Sequence, residues 1–146
     1  AGELPPSQAS DYMALAWSDA QRKRLVSAVQ RWAQVFSRDP ATKGELSQGL
    51  LLRAAGVAVL ASFGEEGQSA ATLRRQALLW LSEFVHRCRS GIEQVDDQIP
   101  GSAQVDQRRL EARRALYRNL LARARTDPDL SSLRETAAFR RLFRSR

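Results

Sequence analysis

The sequence predicts an all-α fold, an antiparallel array of about five helices. Three observations carry that reading. Ala, Leu, Arg, Gln and Glu dominate while β-branched residues are scarce, a mixture that favours helix. Apolar residues recur every three or four positions in three successive stretches, Arg22 to Ser37, Glu45 to Ser62 and Ala70 to Cys88. Asp39-Pro40 and Phe63-Gly64 punctuate the first two stretches, which together form a helix–turn–helix unit. The 146 residues leave room for one domain with a modest core, and 43% hydrophobic with 27% charged residues is the balance of a folded soluble protein.

Residues 1–9, with Pro5-Pro6-Ser7, read as a linker and residues 10–146 as a single α-helical domain. The first residues have neither the basic start nor the apolar core of a signal peptide. The lack of an initiator Met makes an excised or processed piece the expectation. Ser10-Asp11 can cap a short helix from Tyr12 to about Asp19, with Leu15 and Ala16 inward and Trp17 beside them. In the next helix Leu25, Val29, Trp32, Ala33 and Phe36 fall on one stripe, and Pro40 denies Asp39 a helical continuation. The second helix is apolar nearly all round from Leu50 to Leu60. Its small residues, among them Gly56, admit close neighbours, as suits the middle of a bundle.

Ser69 is the expected N-cap of the third helix, whose stripe is Leu73, Ala77, Trp80, Leu81 and Phe84. Ser90-Gly91 is its expected stop, because Gly readily takes the left-handed conformation of a helix end. Residues 92–104 then read as a polar loop. The fourth helix is expected from about Asp106 to Arg125, burying Leu110, Tyr117, Leu120, Leu121 and Ala124, and Thr126-Asp127-Pro128-Asp129 stops it. A last short helix begins near Ser131 or Ser132 and carries Leu133, Ala137 and Leu142, with Phe139 and Phe143 alongside. Up-down packing is the simplest arrangement of such elements.

Charge is uneven along the chain. Residues 1–107 hold 11 Lys/Arg against 12 Asp/Glu, whereas residues 108–146 hold 12 Arg against 4 acids. The net charge of +7 therefore belongs to the last quarter. No apolar run approaches the ~20 residues that span a bilayer, so no membrane partner is expected. The single cysteine excludes an internal disulfide and a multi-Cys zinc site, and it fits a reducing, cytoplasmic setting.

Several segments resemble a known family. Arg24-Leu25-Val26-Ser27-Ala28-Val29-Gln30-Arg31-Trp32, continuing to Phe36-Ser37-Arg38-Asp39-Pro40, looks like the first helix of a tetratricopeptide repeat with its closing Pro. Arg53-Ala54-Ala55-Gly56-Val57-Ala58-Val59-Leu60-Ala61 resembles the second helix. Thr72-Leu73-Arg74-Arg75-Gln76-Ala77-Leu78-Leu79-Trp80-Leu81 and, later, Thr126-Asp127-Pro128-Asp129-Leu130 follow in an order similar to the C-terminal end of large tetratricopeptide-repeat proteins of planctomycete-type bacteria. The likeness covers roughly residues 12–135. It implies a helical cap on a repeat array and a role in protein–protein interaction or scaffolding. Members often carry a Ser/Thr kinase or another signalling domain upstream. This chain has no Gly-rich phosphate loop, His-Arg-Asp or Asp-Phe-Gly, so no kinase activity carries over. Leu25 and Trp32 are bulkier than the repeat's usual contact residues, and only one clear repeat is present where ~3 normally stand together.

No enzyme is expected, and no cofactor or metal. His86 and Cys88, the only His and Cys, point ~200° apart on a helix and cannot share a metal or act as base and nucleophile. Cys88 reads as a small buried filler. Asp96-Asp97 and Asp127-Pro128-Asp129 read as turn residues, not as the desolvated pair that acid–base catalysis requires. Gly64-Glu65-Glu66-Gly67 is acidic and is not a phosphate cradle. Core packing outweighs a binding face for Trp17, Trp32 and Trp80, although Trp32, with Leu25, is the best candidate for partner contact on the inner face of an array.

Arg109, Arg113, Arg114 and Arg118, beside Arg108 and continued by Arg140, Arg141, Arg144 and Arg146, form the strongest surface signal. A solvated helix face is its plainest reading, an acidic protein or neighbouring domain the next, and nucleic acid the third, since no aromatics interleave for single strands. The expected partner is thus a protein or a neighbouring domain. Homo-oligomers are an option if the Tyr12–Trp17 side is left uncovered.

Overall fold

In a computed structural model the described residues, 23–39 and 49–144, are all-α, with no strand among them. Among the described residues five α-helices run in order: α1 over residues 23–38, α2 Leu50–Ser62, α3 Gly67–Gln98, α4 Gln104–Thr126 and α5 Ala137–Leu142. Short 3-10 turns, Ile99–Gly101 and Pro128–Leu133, follow α3 and α4. The expected 12–19 helix, Trp17, the 1–9 linker, Pro40, Arg146 and the start of the second helix at Glu45 lie outside the described residues.

One apolar cluster joins all five helices. Val29 and Phe36 enter from α1, Leu51, Leu52 and a run of alanines from α2, and Ala77, Trp80, Leu81, Phe84, Val85 and Cys88 from α3. Leu120 and Ala124 of α4, Leu130 and Leu133 of the second 3-10 turn, and Phe139 and Phe143 complete it. The α1 stripe falls where the period places it for Val29 and Phe36, but Ala33 is exposed. Phe36 docks edge-on against Trp80, 5.5 Å between ring centroids. As its composition suggests, α2 is touched on two sides, packing on α3 along one and on the Pro128–Leu133 turn along another. A Cβ at Gly56 would sit 3.3 Å from Asp129 Cβ, so glycine is what lets that turn lie against α2.

The main departure from expectation is the length of α3. It does not stop at Ser90-Gly91 but runs unbroken for 32 residues, and 92–98 are helix, not loop. Gly91 is there for a different reason. The Tyr117 ring of α4 lies against its backbone so closely that a Cβ would stand 2.7 Å from Cζ. The cost of glycine in a helix, ~1 kcal/mol relative to Ala, is offset by this approach of α4. Ile92, Val95 and Ile99 continue the apolar stripe at i, i+3 and i+7, and Val95 is buried. The helix tightens into the 3-10 turn Ile99–Gly101: Ile99 is still right-handed helical and donates to Val95 O, and Pro100 has no N–H with which to continue the ladder. Its start is also earlier than expected, at Gly67 with Glu66 as the preceding residue, not at a Ser69 cap.

The hairpin between α3 and α4 is closed by polar contacts. Ser102 Oγ donates to Gln98 O at 2.7 Å, and Gln107 Nε2 donates to Ser102 O at 2.9 Å. Asp96, a helical residue and not a turn residue, accepts from Arg114 Nη1 at 2.7 Å, a partly exposed pair worth ~0.2–1 kcal/mol. The chain leaves α4 at Asp127, whose carboxylate accepts from Asp129 N at 2.9 Å. The Asp-Pro-Asp segment therefore does turn chemistry. The last helix begins later than Ser131 or Ser132, at Ala137, where Thr136 Oγ1 accepts from Phe139 N at 3.2 Å.

Gly91 and Tyr117 give a test of this packing. In the wild-type background Gly91→Ala meets the Tyr117 ring and is expected to destabilise by ~1–3 kcal/mol, less the helix-propensity gain. In a Tyr117→Ala background the obstruction is gone, and the same change should stabilise by up to ~1 kcal/mol. A urea-midpoint cycle showing the same sign in both backgrounds would remove Tyr117 as the reason for glycine.

Candidate binding groove

One side of α3 runs alongside α4 and the end of the chain and makes a groove of about 870 Å³. Val85, Arg89 and Ile92 contribute from α3 at i, i+4 and i+7, flanked by His86 and Glu93. Across from them α4 contributes Arg118, Leu121 and Arg125 at i, i+3 and i+7. Leu142, Phe143 and Arg144, at and just beyond the end of α5, form the third wall. The floor is apolar: Val85 and Phe143 are buried, and Leu121 and Leu142 are half-buried.

Two of the arginines hold the third wall in place. Arg89 Nη2 donates to Arg144 O and Arg125 Nη2 donates to Phe143 O, each at 3.4 Å. The Arg125 guanidinium also lies 5.6 Å from the Phe143 ring centroid, within cation–π range. These bonds are long and engage neutral carbonyls, so both guanidinium groups keep donors facing the groove. Among the described residues no carboxylate lies within ion-pair distance of Arg89, Arg118, Arg125 or Arg144. Four arginines thus face one carboxylate, Glu93, in the groove lining.

The residues singled out from sequence are distributed unevenly. Arg118 lines the groove. Arg114 is committed to Asp96, and Arg109 and Arg113 are exposed along α4 and take no part in the groove. Leu25 and Trp32 lie on α1, half-buried against the core, with Trp32 stacked on Phe36 at 5.4 Å between centroids. No described residue of α1 lines the groove, so Leu25 and Trp32 form no common site with the arginines. Sequence reasoning missed Arg89, Arg125 and His86 as site residues. All three lie within helices expected from the sequence, and only the packing of α3 against α4 and the end of the chain brings them together.

Catalytic geometry is not apparent here. Cys88 is fully buried, and burial pushes its thiol up from 9.0 to about 12, the opposite of what a nucleophile needs. His86 is exposed at the groove, away from the buried Cys88. Among the described residues no three of His, Cys, Asp and Glu gather as a metal site, and no helix is long and apolar enough to cross a membrane. No family, curated relative or solved structure matches this chain.

Proposed function

We propose that the chain is a non-catalytic protein–protein interaction or scaffolding module, placed as the C-terminal cap of a tetratricopeptide-type array. The cap assignment rests on the sequence segments quoted above. Against it stands the length of α3, whose 32 residues nearly equal a whole ~34-residue repeat. The interaction reading has its own support: four arginines without carboxylate partners among the described residues, set over an apolar floor between α3, α4 and the end of α5. Unpaired cations beside desolvated apolar surface are stabilised when an acidic partner covers both. A reducing, cytoplasmic setting accords with the single free thiol.

The second reading is nucleic-acid binding, favoured by the surplus of arginine in residues 108–146. The two readings separate on salt and on the apolar floor. Phosphate contacts would be lost steeply as salt rises from about 50 mM, whereas a partner seated on Leu121 and Phe143 would be retained better. In affinity capture compared across variants, Arg118→Glu/Arg125→Glu should lose the partner set of the wild-type chain, while Trp32→Ala should keep it. The reverse pattern would move the docking surface to α1. Binding to duplex or single strand at about 50 mM salt, abolished by Arg109→Glu/Arg113→Glu, would instead support the nucleic-acid reading.

A further inference from the structure

We infer that the groove is shaped for one kind of occupant, an acidic amphipathic helix of about three turns from a protein partner; this rests on the interaction reading above. The argument is one of spacing and charge. Along α3 the lining runs from Ser82 to Glu93, eleven steps or ~16 Å of helix, about three turns. Along α4 Arg118 and Arg125 are seven residues apart, ~10 Å on the same face, with Leu121 between them. A helix laid against this pair would present carboxylates one heptad apart to the two arginines, and apolar side chains at the intervening positions to Leu121 and Val85. Helix-in-groove recognition reads such i, i+3, i+4, i+7 anchors, and two packed antiparallel helices leave a groove of the kind a third fills at ~8–10 Å.

Charge is graded along the groove. Arg89 and Arg125 converge on the consecutive carbonyls of Phe143 and Arg144, so three guanidinium groups gather at that end. Glu93 stands on α3 towards the hairpin, beyond the Gly91–Tyr117 contact. The occupant's acidic side chains therefore concentrate at the α5 end. A carboxylate there also has a stronger claim on Arg89 and Arg125 than the neutral carbonyls they now reach at 3.4 Å, so docking and the hold on the α5 wall are coupled.

The probe is a designed 14-residue peptide with Glu pairs at i and i+7 and Leu at i+3 and i+4, labelled for fluorescence anisotropy with the full chain. Controls are the same peptide with Lys for Glu, a composition-matched version broken by proline, and a single-stranded oligonucleotide of similar charge. Saturable binding of the helical acidic peptide is expected. Arg118→Glu/Arg125→Glu should weaken it at least about tenfold, while Trp32→Ala leaves it unchanged. Circular dichroism melts verify that both variants are folded, and Arg118→Gln/Arg125→Gln serves if the reversal is not. Equal affinity for the proline-broken peptide, tighter binding of the oligonucleotide, or no response to the arginine variants would overturn the inference. If the peptide fails while cellular capture still depends on Arg118 and Arg125, the interaction module stands and only its helical occupant is wrong.

Discussion

Replacing Phe84 by Ala is expected to cost ~3–5 kcal/mol and to leave the chain largely unfolded or close to it. The ring is fully buried in the middle of α3, inside the cluster shared by all five helices. Its removal deletes a large buried apolar surface and leaves a cavity that the surrounding α2 and α4 backbone cannot fill without breaking its own contacts. A domain of this size has ~5–15 kcal/mol in total, so the loss is a large part of the whole. Leu79 is the control. It lies five residues earlier on the same helix and is 59% exposed, and Leu79→Ala should stay within ~0.5 kcal/mol. Urea unfolding followed by circular dichroism should show a large fall in midpoint for Phe84→Ala and little change for Leu79→Ala. Comparable shifts in the two would mean that α3 does not bury the face described here.

Cys88 should make the protein lose stability in alkali. Its thiol has no solvent exposure, and burial disfavours the thiolate, raising it from 9.0 to about 12. Between those values the native state keeps a proton that the unfolded chain has released, so unfolding gains free energy as pH rises. The stabilisation is complete below about pH 9 and declines by ~1.4 kcal/mol per pH unit towards about 12. A Cys88→Ala variant lacks this dependence, because alanine has no proton to lose. Its neutral-pH stability is offset by the small cavity, and the two pH curves should converge above pH 9. Parallel curves across that range would show that the thiol is accessible to water. Reaction with a thiol reagent should likewise be limited by unfolding, since the nucleophile is the thiolate.

Helix identity was readable wherever the apolar period was strong and a breaker stood at the end. Val29 and Phe36 landed inside, the small residues of α2 met close neighbours, and Thr126 to Asp129 ended α4 as its turn chemistry requires. The error at Gly91 was of another kind. A glycine is locally ambiguous, since a left-handed helix stop and a close interhelical approach use the same missing Cβ. Only the position of Tyr117, 26 residues later in the chain, distinguishes them. The arginine groove was hidden for another reason: none of its four arginines lies in 92–98, and their convergence depends on how α3, α4 and the end of the chain pack together.

The amino-acid sequence by itself determined an all-helical chain, its apolar stripes and a surplus of positive charge in the last quarter, because these follow from composition and from periods of three or four residues. The tertiary structure alone decided that α3 is one continuous rod and that Arg89, Arg118, Arg125 and Arg144 share a single groove. Those four stand on three different segments, and convergence of that sort depends on which helix faces lie against each other, which no local pattern encodes.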